Sequence, residues 1–199
     1  MMNTLEIWNA LSSNKYTKNY FKGVFPLDRI PKTIANKPAL LIVNLDKSNR
    51  PGSHWVAIHF PVKGVPEYFD SFGMEPYHKE FFKLFKLNKF RSVLYNKTQL
   101  QDFLSDVCGQ YCCVYLLNKA KNISLKDFIQ TNFRLKKFRE NDKKVRSLFQ
   151  QNFIGKKPML NLKIGNFQNK LLDGRGVGSG GVESVRQVCV QTCCPKSNW

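Results

Sequence analysis

Apolar residues fall along this chain in short blocks separated by polar turns, a pattern typical of a protein with both helices and strands. Three blocks have the length and composition of strands, and a fourth indicates an edge strand. They are residues 39–44, 54–60, 65–70 and 92–95. The tight connection over residues 61–64 predicts that the second and third strands pair as an antiparallel hairpin.

Other blocks have helical spacing. Residues 4–11 predict a short helix, and residues 77–87 predict a second one that buries several phenylalanines. Residues 108–120 are apolar almost all round, which predicts a central buried helix. Residues 134–146 hold seven basic residues together with apolar ones, so we expect a helix with a basic face there. The segment between the first helix and Pro31 is predicted to be rich in turns, and the core is expected to begin after it.

The composition changes after Leu172, where a glycine-rich run over residues 173–181 is typical of a flexible linker. We therefore expect a folded domain over residues 1–165, a linker over 166–181 and a tail over 182–199.

The composition excludes a wholly disordered chain, because 42% of the 199 residues are hydrophobic and 13% are aromatic. No stretch approaches the roughly 20 apolar residues that span a bilayer. The first residues also lack the basic and apolar regions of a signal peptide. We therefore expect neither membrane insertion nor secretion.

The net charge of +18 predicts a strong positive field that attracts polyanions, with nucleic acid as the first candidate. The alternative is a set of ordinary solvated lysines, since charge alone reveals no groove. The candidates for phosphate contact lie in the basic block and are Arg134, Lys136, Lys137, Arg139, Lys143, Lys144 and Arg146.

The six cysteines form two clusters, which is not the distribution of a disulfide scaffold and favours a reducing compartment. A zinc site is the alternative for the first cluster. Cys112 and Cys113 fall inside the predicted buried helix, however, where cysteine commonly serves as a small apolar residue. We therefore expect no metal.

Cys108 is the most informative residue, because it opens the central helix at a Cys-Gly turn. A helix N-terminus and a neighbouring imidazole favour the thiolate form of a cysteine. The predicted hairpin brings His54 and Asp70 together, which would supply a base and the carboxylate that orients it. Taken singly, His54 could cap a strand and Asp70 could close a turn. His59 and His78 lack such a context and are expected to be structural or exposed.

These residues occur in local contexts that resemble the adenovirus-type maturation proteases, which belong to the same clan as the proteases of ubiquitin-like modifiers. The resemblance covers residues 4–150 and rests on five stretches. They are Gly52-Ser53-His54-Trp55, Phe69-Asp70-Ser71-Phe72-Gly73, the run from Asp106 to Cys113, Leu41-Ile42-Val43-Asn44 and Asp28-Arg29-Ile30-Pro31. The resemblance implies an α+β fold of the papain-like cysteine protease arrangement, with a central helix that carries the nucleophile and packs on a mixed or antiparallel sheet.

The resemblance also implies a role for each site residue. Cys108 becomes the nucleophile, His54 the general base and later acid, and Asp70 the orienting carboxylate, where the adenoviral enzymes have glutamate. Gln101 occupies the register of the family's oxyanion-hole glutamine, and the Cys108 backbone N–H would be the second donor. Gln99 is out of register, and Gln110 should point along the helix. Trp55 would shape the wall beside the imidazole, and no cofactor is implied.

The implied activity is cleavage of viral capsid and core precursor proteins at Leu/Ile/Met-x-Gly-x-Gly sites during virion maturation. Viral DNA and an activating peptide would stimulate it. The resemblance places the protein, expected to be a monomer, in the virion and in the nucleus of the infected host cell.

The tail contains both a sequence like the family's cleavage site and a sequence like its activating peptide. Residues 172–176 fit the family's cleavage pattern, which predicts self-cleavage between Arg175 and Gly176. The following segment resembles the activating peptide and is predicted to dock on the protease domain. A disordered or tag-like tail is the alternative. The residues that carry the likeness are Gly181, Val182, Ser184, Val185, Arg186 and Cys189.

The tail departs from the family in its cysteine chemistry. The family's activating peptide pairs with a protease cysteine whose position, near Phe90, holds no cysteine in this chain. Docking would therefore rely on strand addition and apolar contact, or on a different pairing of Cys189, Cys193 or Cys194.

Two other functions stay open at this point. A protease of ubiquitin-like modifiers would share the three site residues and the preference for glycine near the cut. A basic protein that binds nucleic acid without catalysis would retain only the fold. Cleavage of a Leu-x-Gly-x-Gly peptide compared with a modifier conjugate separates the two enzymes, and alkylation of Cys108 separates both from the third function.

Overall fold

The computed structural model describes residues 1–155, in which five strands and five α-helices form. The strands are β1 (Phe21–Pro26), β2 (Ala39–Asn44), β3 (Trp55–Phe60), β4 (Glu67–Phe69) and β5 (Leu94–Tyr95). The helices are α1 (Thr4–Ser13), α2 (Lys79–Leu87), α3 (Cys108–Ala120), α4 (Leu125–Asn132) and α5 (Phe138–Phe149), and a π-helical turn (Gln150–Ile154) follows α5. The predicted linker, the self-cleavage site and the activator-like segment lie outside the described residues.

The strands form one mixed sheet in the order β1-β2-β3-β4-β5. β2, β3 and β4 pair antiparallel, whereas β1 runs parallel to β2 and β5 runs parallel to β4. The predicted hairpin of β3 and β4 is confirmed, with Ala57 opposite Phe69. Because the hairpin is antiparallel, the start of β3 and the end of β4 lie at the same edge of the molecule.

The sheet is buried on both faces. Side chains alternate between the two faces along β2, and all six of its residues are buried. Leu40 and Ile42 point to a core that α1, α3, α4 and α5 cover. Leu41 and Val43 point to a second core that α2 covers. The molecule therefore has three layers, with α3 packed directly on the central strand β3.

The segment after α1 is a strand rather than the predicted series of turns. β1 contains Gly23, with a φ of +140°, and ends at Pro26, so its glycine and proline gave it the composition of a loop. An irregular register at Gly23 accommodates both residues at the edge of the sheet. The expectation that the core begins after Pro31 is also wrong, because Ile7 and Leu11 of α1 are fully buried.

The basic helix begins four residues later than predicted, at Phe138 instead of Arg134. Lys136 has a φ of +61°, in the left-handed region that ends helical geometry, so the first three basic residues of the block lie in a loop. The start of α4 has a local signal in the sequence, which is a serine at the N-cap position. Its N-cap Ser124 accepts a hydrogen bond from the backbone N–H of Asp127.

The expected burial of Cys112 and Cys113 inside α3 is confirmed, since both have no exposed surface. Within residues 1–155, no helix is both long and apolar enough to cross a bilayer.

Candidate active site

A buried histidine and a buried aspartate form a close pair at the edge where β3 begins and β4 ends. His54 directly precedes β3 and Asp70 directly follows β4. The His54 Nε2 lies 2.8 Å from the Asp70 Oδ1. The backbone C=O of His54 accepts a hydrogen bond of 2.9 Å from Leu45 N–H, which fixes the histidine backbone against the end of β2. The predicted approach of these two residues is therefore observed.

Cys108 is the first residue of α3, as the sequence predicted, and only 2% of it is exposed. Its thiol lies close enough to the His54 side chain to help raise the pKa of the imidazole. Because Asp70 occupies Nε2, the imidazole nitrogen that remains for the thiol is Nδ1. The positive end of the α3 dipole also lies at this residue. The structure thus brings Cys108, His54 and Asp70 together in one line of contacts.

The surroundings of His54 control its protonation. Burial lowers the pKa of its imidazole, but the hydrogen bonds and charges of Asp70 and Cys108 outweigh burial and raise that pKa to about 9. His54 is therefore an imidazolium at neutral pH. An imidazolium between a carboxylate and the sulfur is the partner that a thiolate nucleophile needs.

Asp70 is held from several sides by groups that the sequence analysis did not identify. Its Oδ1 also accepts a hydrogen bond of 2.8 Å from the backbone N–H of Phe72. Buried Asn96 binds the Asp70 backbone twice, accepting from its N–H at 3.0 Å and donating to its C=O at 2.6 Å. Asn96 lies beyond β5 in sequence, so no local motif connects it with Asp70. Together these contacts fix the carboxylate toward His54.

Phe72 contributes its ring as well as its backbone. The ring stacks on the His54 imidazole with centroids 4.7 Å apart and planes 26° apart. The turn that positions Phe72 requires Gly73, whose φ is +75° and whose added Cβ would lie 2.7 Å from the Thr98 backbone. The stretch from Phe69 to Gly73 was recognised as a motif in the sequence, but the role of the Phe72 ring was missed.

Gln101 is 1% exposed and lies in the loop between the acid and the nucleophile. Its Oε1 accepts a hydrogen bond of 2.7 Å from Ser71 Oγ, and its Nε2 donates one hydrogen to Ser105 C=O at 2.9 Å. An amide nitrogen carries two hydrogens, and the second one has no acceptor within residues 1–155. Gln99 instead donates to the Gln101 C=O at 2.9 Å. Gln110 lies on α3 with its Oε1 buried and without a hydrogen-bond partner among residues 1–155.

A buried acid on α5 supports this loop from behind. Asp142 accepts hydrogen bonds from the Tyr111 hydroxyl at 3.0 Å and from the Asp102 N–H at 3.3 Å. The Leu100 C=O accepts from Tyr111 at 3.2 Å and from Asn141 at 3.2 Å. α3 and α5 therefore hold the Gln101 loop jointly, an arrangement that no local motif in the sequence indicates.

A pocket of about 370 Å³ lies between the N-terminal segment and the ends of β1 and β2, and neither His54 nor Cys108 lines it. Gly52, Asn44 and Trp55 line it. Trp55 is buried, and its indole N–H donates to the Met2 C=O at 2.9 Å, so its position is fixed against the N-terminal segment.

Two of the seven predicted phosphate-binding residues, Arg139 and Arg146, pair with acids of the loop that leads to Cys108. All seven basic residues of the predicted phosphate-binding set are exposed. Four of them form ion pairs, with Glu140 at 3.5 to 3.9 Å, Asp102 at 3.5 Å and Asp106 at 3.0 Å. His59 is buried, and burial together with nearby Lys119 lowers its pKa to about 4, while His78 is partly exposed.

Comparison with solved structures identifies the fold. The crystal structure of the ASFV pS273R protease matches with a TM-score of 0.51 and 19% identity, over 76% of this chain and 68% of that chain. A structure of the SUMO protease Ulp1 with its catalytic cysteine oxidised to a sulfenic acid matches with a TM-score of 0.35 and 15% identity, over 58% of this chain and 52% of that chain.

The first of these similarities confirms the predicted α+β cysteine protease fold, with α3 packed on a mixed sheet. No protein-family model and no curated protein matches the chain. Membership of the adenovirus-type family therefore stays a prediction from the motifs.

Proposed function

We propose that this protein is a cysteine endopeptidase in which Cys108, His54 and Asp70 carry out peptide cleavage. One observation carries the proposal. The His54 imidazole is held between the Asp70 carboxylate, at 2.8 Å, and the thiol at the N-terminus of α3. A buried imidazolium in that position serves as a proton donor once the sulfur has attacked. The shared fold with a crystallised protease supports the same conclusion.

The proposed reaction proceeds through an acyl-enzyme. The Cys108 thiolate, whose proton His54 holds, attacks the peptide carbonyl carbon, and His54 then gives that proton to the leaving amine. His54, now neutral, takes a proton from water, and the hydroxide releases the acyl group from the sulfur. Asp70 keeps the imidazole in one orientation throughout. Gln101 Nε2 and the Cys108 N–H would bind the oxyanion, an interaction whose loss typically costs about 100-fold to 1,000-fold in rate.

The proposed substrates are viral capsid and core precursor proteins, cut at Leu/Ile/Met-x-Gly-x-Gly sites during virion maturation in the infected nucleus and the virion. The motif resemblance supports this choice. DNA and an activating peptide are the proposed stimulators, and the charge of +18 supports the first. The activator-like segment and the Arg175–Gly176 bond belong to the same proposal.

The proposal is tested by incubating the full chain with a Leu-x-Gly-x-Gly peptide and with a conjugate of a ubiquitin-like modifier. We expect the wild type to cut the peptide, and Cys108→Ala and His54→Ala to abolish cutting. Cys113→Ala is the matched control, because it removes a fully buried thiol of the same helix. Intact mass of the same samples reports whether a fragment that begins at Gly176 is released. Equal cleavage by wild type and Cys108→Ala would contradict the proposal, and a preference for the conjugate would redirect it to modifier processing.

A further inference from the structure

We infer that Phe103 and Leu104 form an apolar platform that binds an apolar side chain of the substrate beside the scissile bond. The inference rests on the proposed endopeptidase function and deepens it, because it assigns a specificity-determining surface. The two residues lie on the loop between Gln101 and the nucleophile, and neither has a role in the chemistry described above.

The exposure of these side chains is the first observation. Phe103 is 72% exposed and Leu104 is 93% exposed. Single exposed apolar residues are ordinary, but here two large ones follow each other in the same loop. Because they contribute little buried area to the fold, stability does not account for them.

The second observation is continuity with the proposed catalytic residues. The Phe103 ring stacks on the Phe72 ring with centroids 5.2 Å apart and planes 22° apart. The Phe72 ring in turn stacks on His54 at 4.7 Å. An uninterrupted stack of rings therefore leads from the imidazole to the exposed patch. A peptide bound at Cys108 would lie beside His54, which only the Phe72 ring separates from Phe103.

The third observation is that the loop is fixed rather than loose. Asp102 organises it, because its Oδ1 accepts from the Leu104 N–H at 3.0 Å and its C=O accepts from the Ser105 N–H at 3.0 Å. The Gln101 amide closes the loop on the Ser105 C=O at 2.9 Å. A loop held in this way presents Phe103 and Leu104 in a preorganised geometry, which reduces the entropy lost when a ligand binds.

The chemistry of the patch selects the occupant. An aromatic ring and a leucine offer no hydrogen bond or charge, so they favour an aliphatic or aromatic side chain. Covering such a patch is worth about 10-fold to 100-fold in binding. Because the platform touches substrate away from the reacting atoms, its removal should raise KM and leave kcat nearly unchanged.

The test compares the wild type with the double variant Phe103→Ser/Leu104→Ser. The substrates are peptides that contain Leu-x-Gly-x-Gly. Each residue that flanks this motif is replaced in turn by leucine and by serine. Leu135→Ser is the matched control, because Leu135 is 70% exposed on another loop. We expect the wild type and the control to prefer leucine at one flanking position. The double variant should lose that preference and about 10-fold to 100-fold of kcat/KM.

The outcomes separate this inference from the function on which it rests. Iodoacetamide alkylation of Cys108 should be as fast in the double variant as in the wild type, which shows that the nucleophile is intact. Wild-type cleavage together with an unchanged preference in the double variant would overturn the platform alone. A wild type that cuts no peptide and whose Cys108 does not react with iodoacetamide would overturn the proposed function and the platform with it.

Discussion

At the scale of single residues, the chemistry depends on how His54 is held. Its imidazole has an acid on one nitrogen, a thiol on the other and the Phe72 ring against its face. Asp70 in turn owes its position to Phe72 and Asn96. A raised pKa in a buried histidine requires this set of partners, because burial alone would lower it.

The raised pKa of His54 predicts the alkaline limit of activity. Above pH of about 9 the imidazolium loses its proton, so kcat/KM should fall with an apparent pKa of about 9. Asp70→Asn removes the charge that raises this pKa while burial still lowers it, so the alkaline limit should move to lower pH. The measurement is the pH profile of peptide cleavage for both proteins, with Cys113→Ala as control. An alkaline limit that Asp70→Asn does not move would contradict the assignment.

The raised pKa of His54 also contributes to the stability of the folded protein. Since the pKa of His54 is higher in the folded chain than its usual 6.5, protonation stabilises the fold fully below that value, and the contribution is lost as the pH rises through about 9.

The sequence could predict the three central residues because their motifs are local and the hairpin needs only a tight connection. It could not predict Asn96 or the ring of Phe72 as positioning groups. Their partners are distant in sequence or depend on how a turn folds back. The assignment of Gln101 as an oxyanion donor stays a prediction, although its second amide hydrogen suits that role.

At the scale of elements, α1 completes the core from which the nucleophile helix is presented. Ile7 and Leu11 lie in the same apolar cluster as Cys108 and Tyr111 of α3. The N-terminal segment also packs on Gly109, where an added Cβ would lie 3.0 Å from the Met2 side chain. Packing of α1 therefore bears directly on where α3 begins.

Leu11→Ala should lower the free energy of unfolding by about 2 to 5 kcal/mol, because it removes a fully buried side chain and leaves a cavity. Leu5→Ala on the same helix is the matched control, since Leu5 is 66% exposed and should change stability little. Urea unfolding followed by circular dichroism measures both. Similar small effects from the two variants would show that α1 is not part of the core.

The sequence predicted the bounds of β2 and α3 correctly, because both are long runs of buried apolar residues. It failed for β1, whose Gly23 and Pro26 are tolerated only because β1 is an edge strand. The predicted start of the basic helix is wrong because Lys136 has a left-handed backbone conformation, which interrupts the helix. The pattern of charges in the sequence does not show this interruption.

At the scale of the whole molecule, the excess of positive charge is large and only partly neutralised along α5. Lys136, Lys143 and Lys144 form no ion pair within residues 1–155, whereas the other four basic residues of the set do. These three lysines are therefore the best candidates for phosphate contact.

Replacing Lys136, Lys143 and Lys144 with glutamine should weaken DNA binding and reduce the slope of log affinity against log salt by about 2 to 3. The control replaces Lys63, Lys83 and Lys89, which are exposed elsewhere, and makes the same change in charge. Fluorescence anisotropy of a labelled duplex over a salt series measures both. Equal losses of DNA affinity in the two triple variants would indicate a diffuse positive field rather than a binding face on α5 and the loop before it.

The central claim is that His54 primes Cys108 as a nucleophile, and the rate of alkylation of Cys108 tests it without any knowledge of the substrate. Wild type and His54→Ala are treated with iodoacetamide at pH 7, and modification of Cys108 is followed by peptide mass spectrometry. The structure predicts that the wild type reacts at least about 10-fold faster at Cys108 than His54→Ala does. Equal rates in the two proteins would contradict the claim.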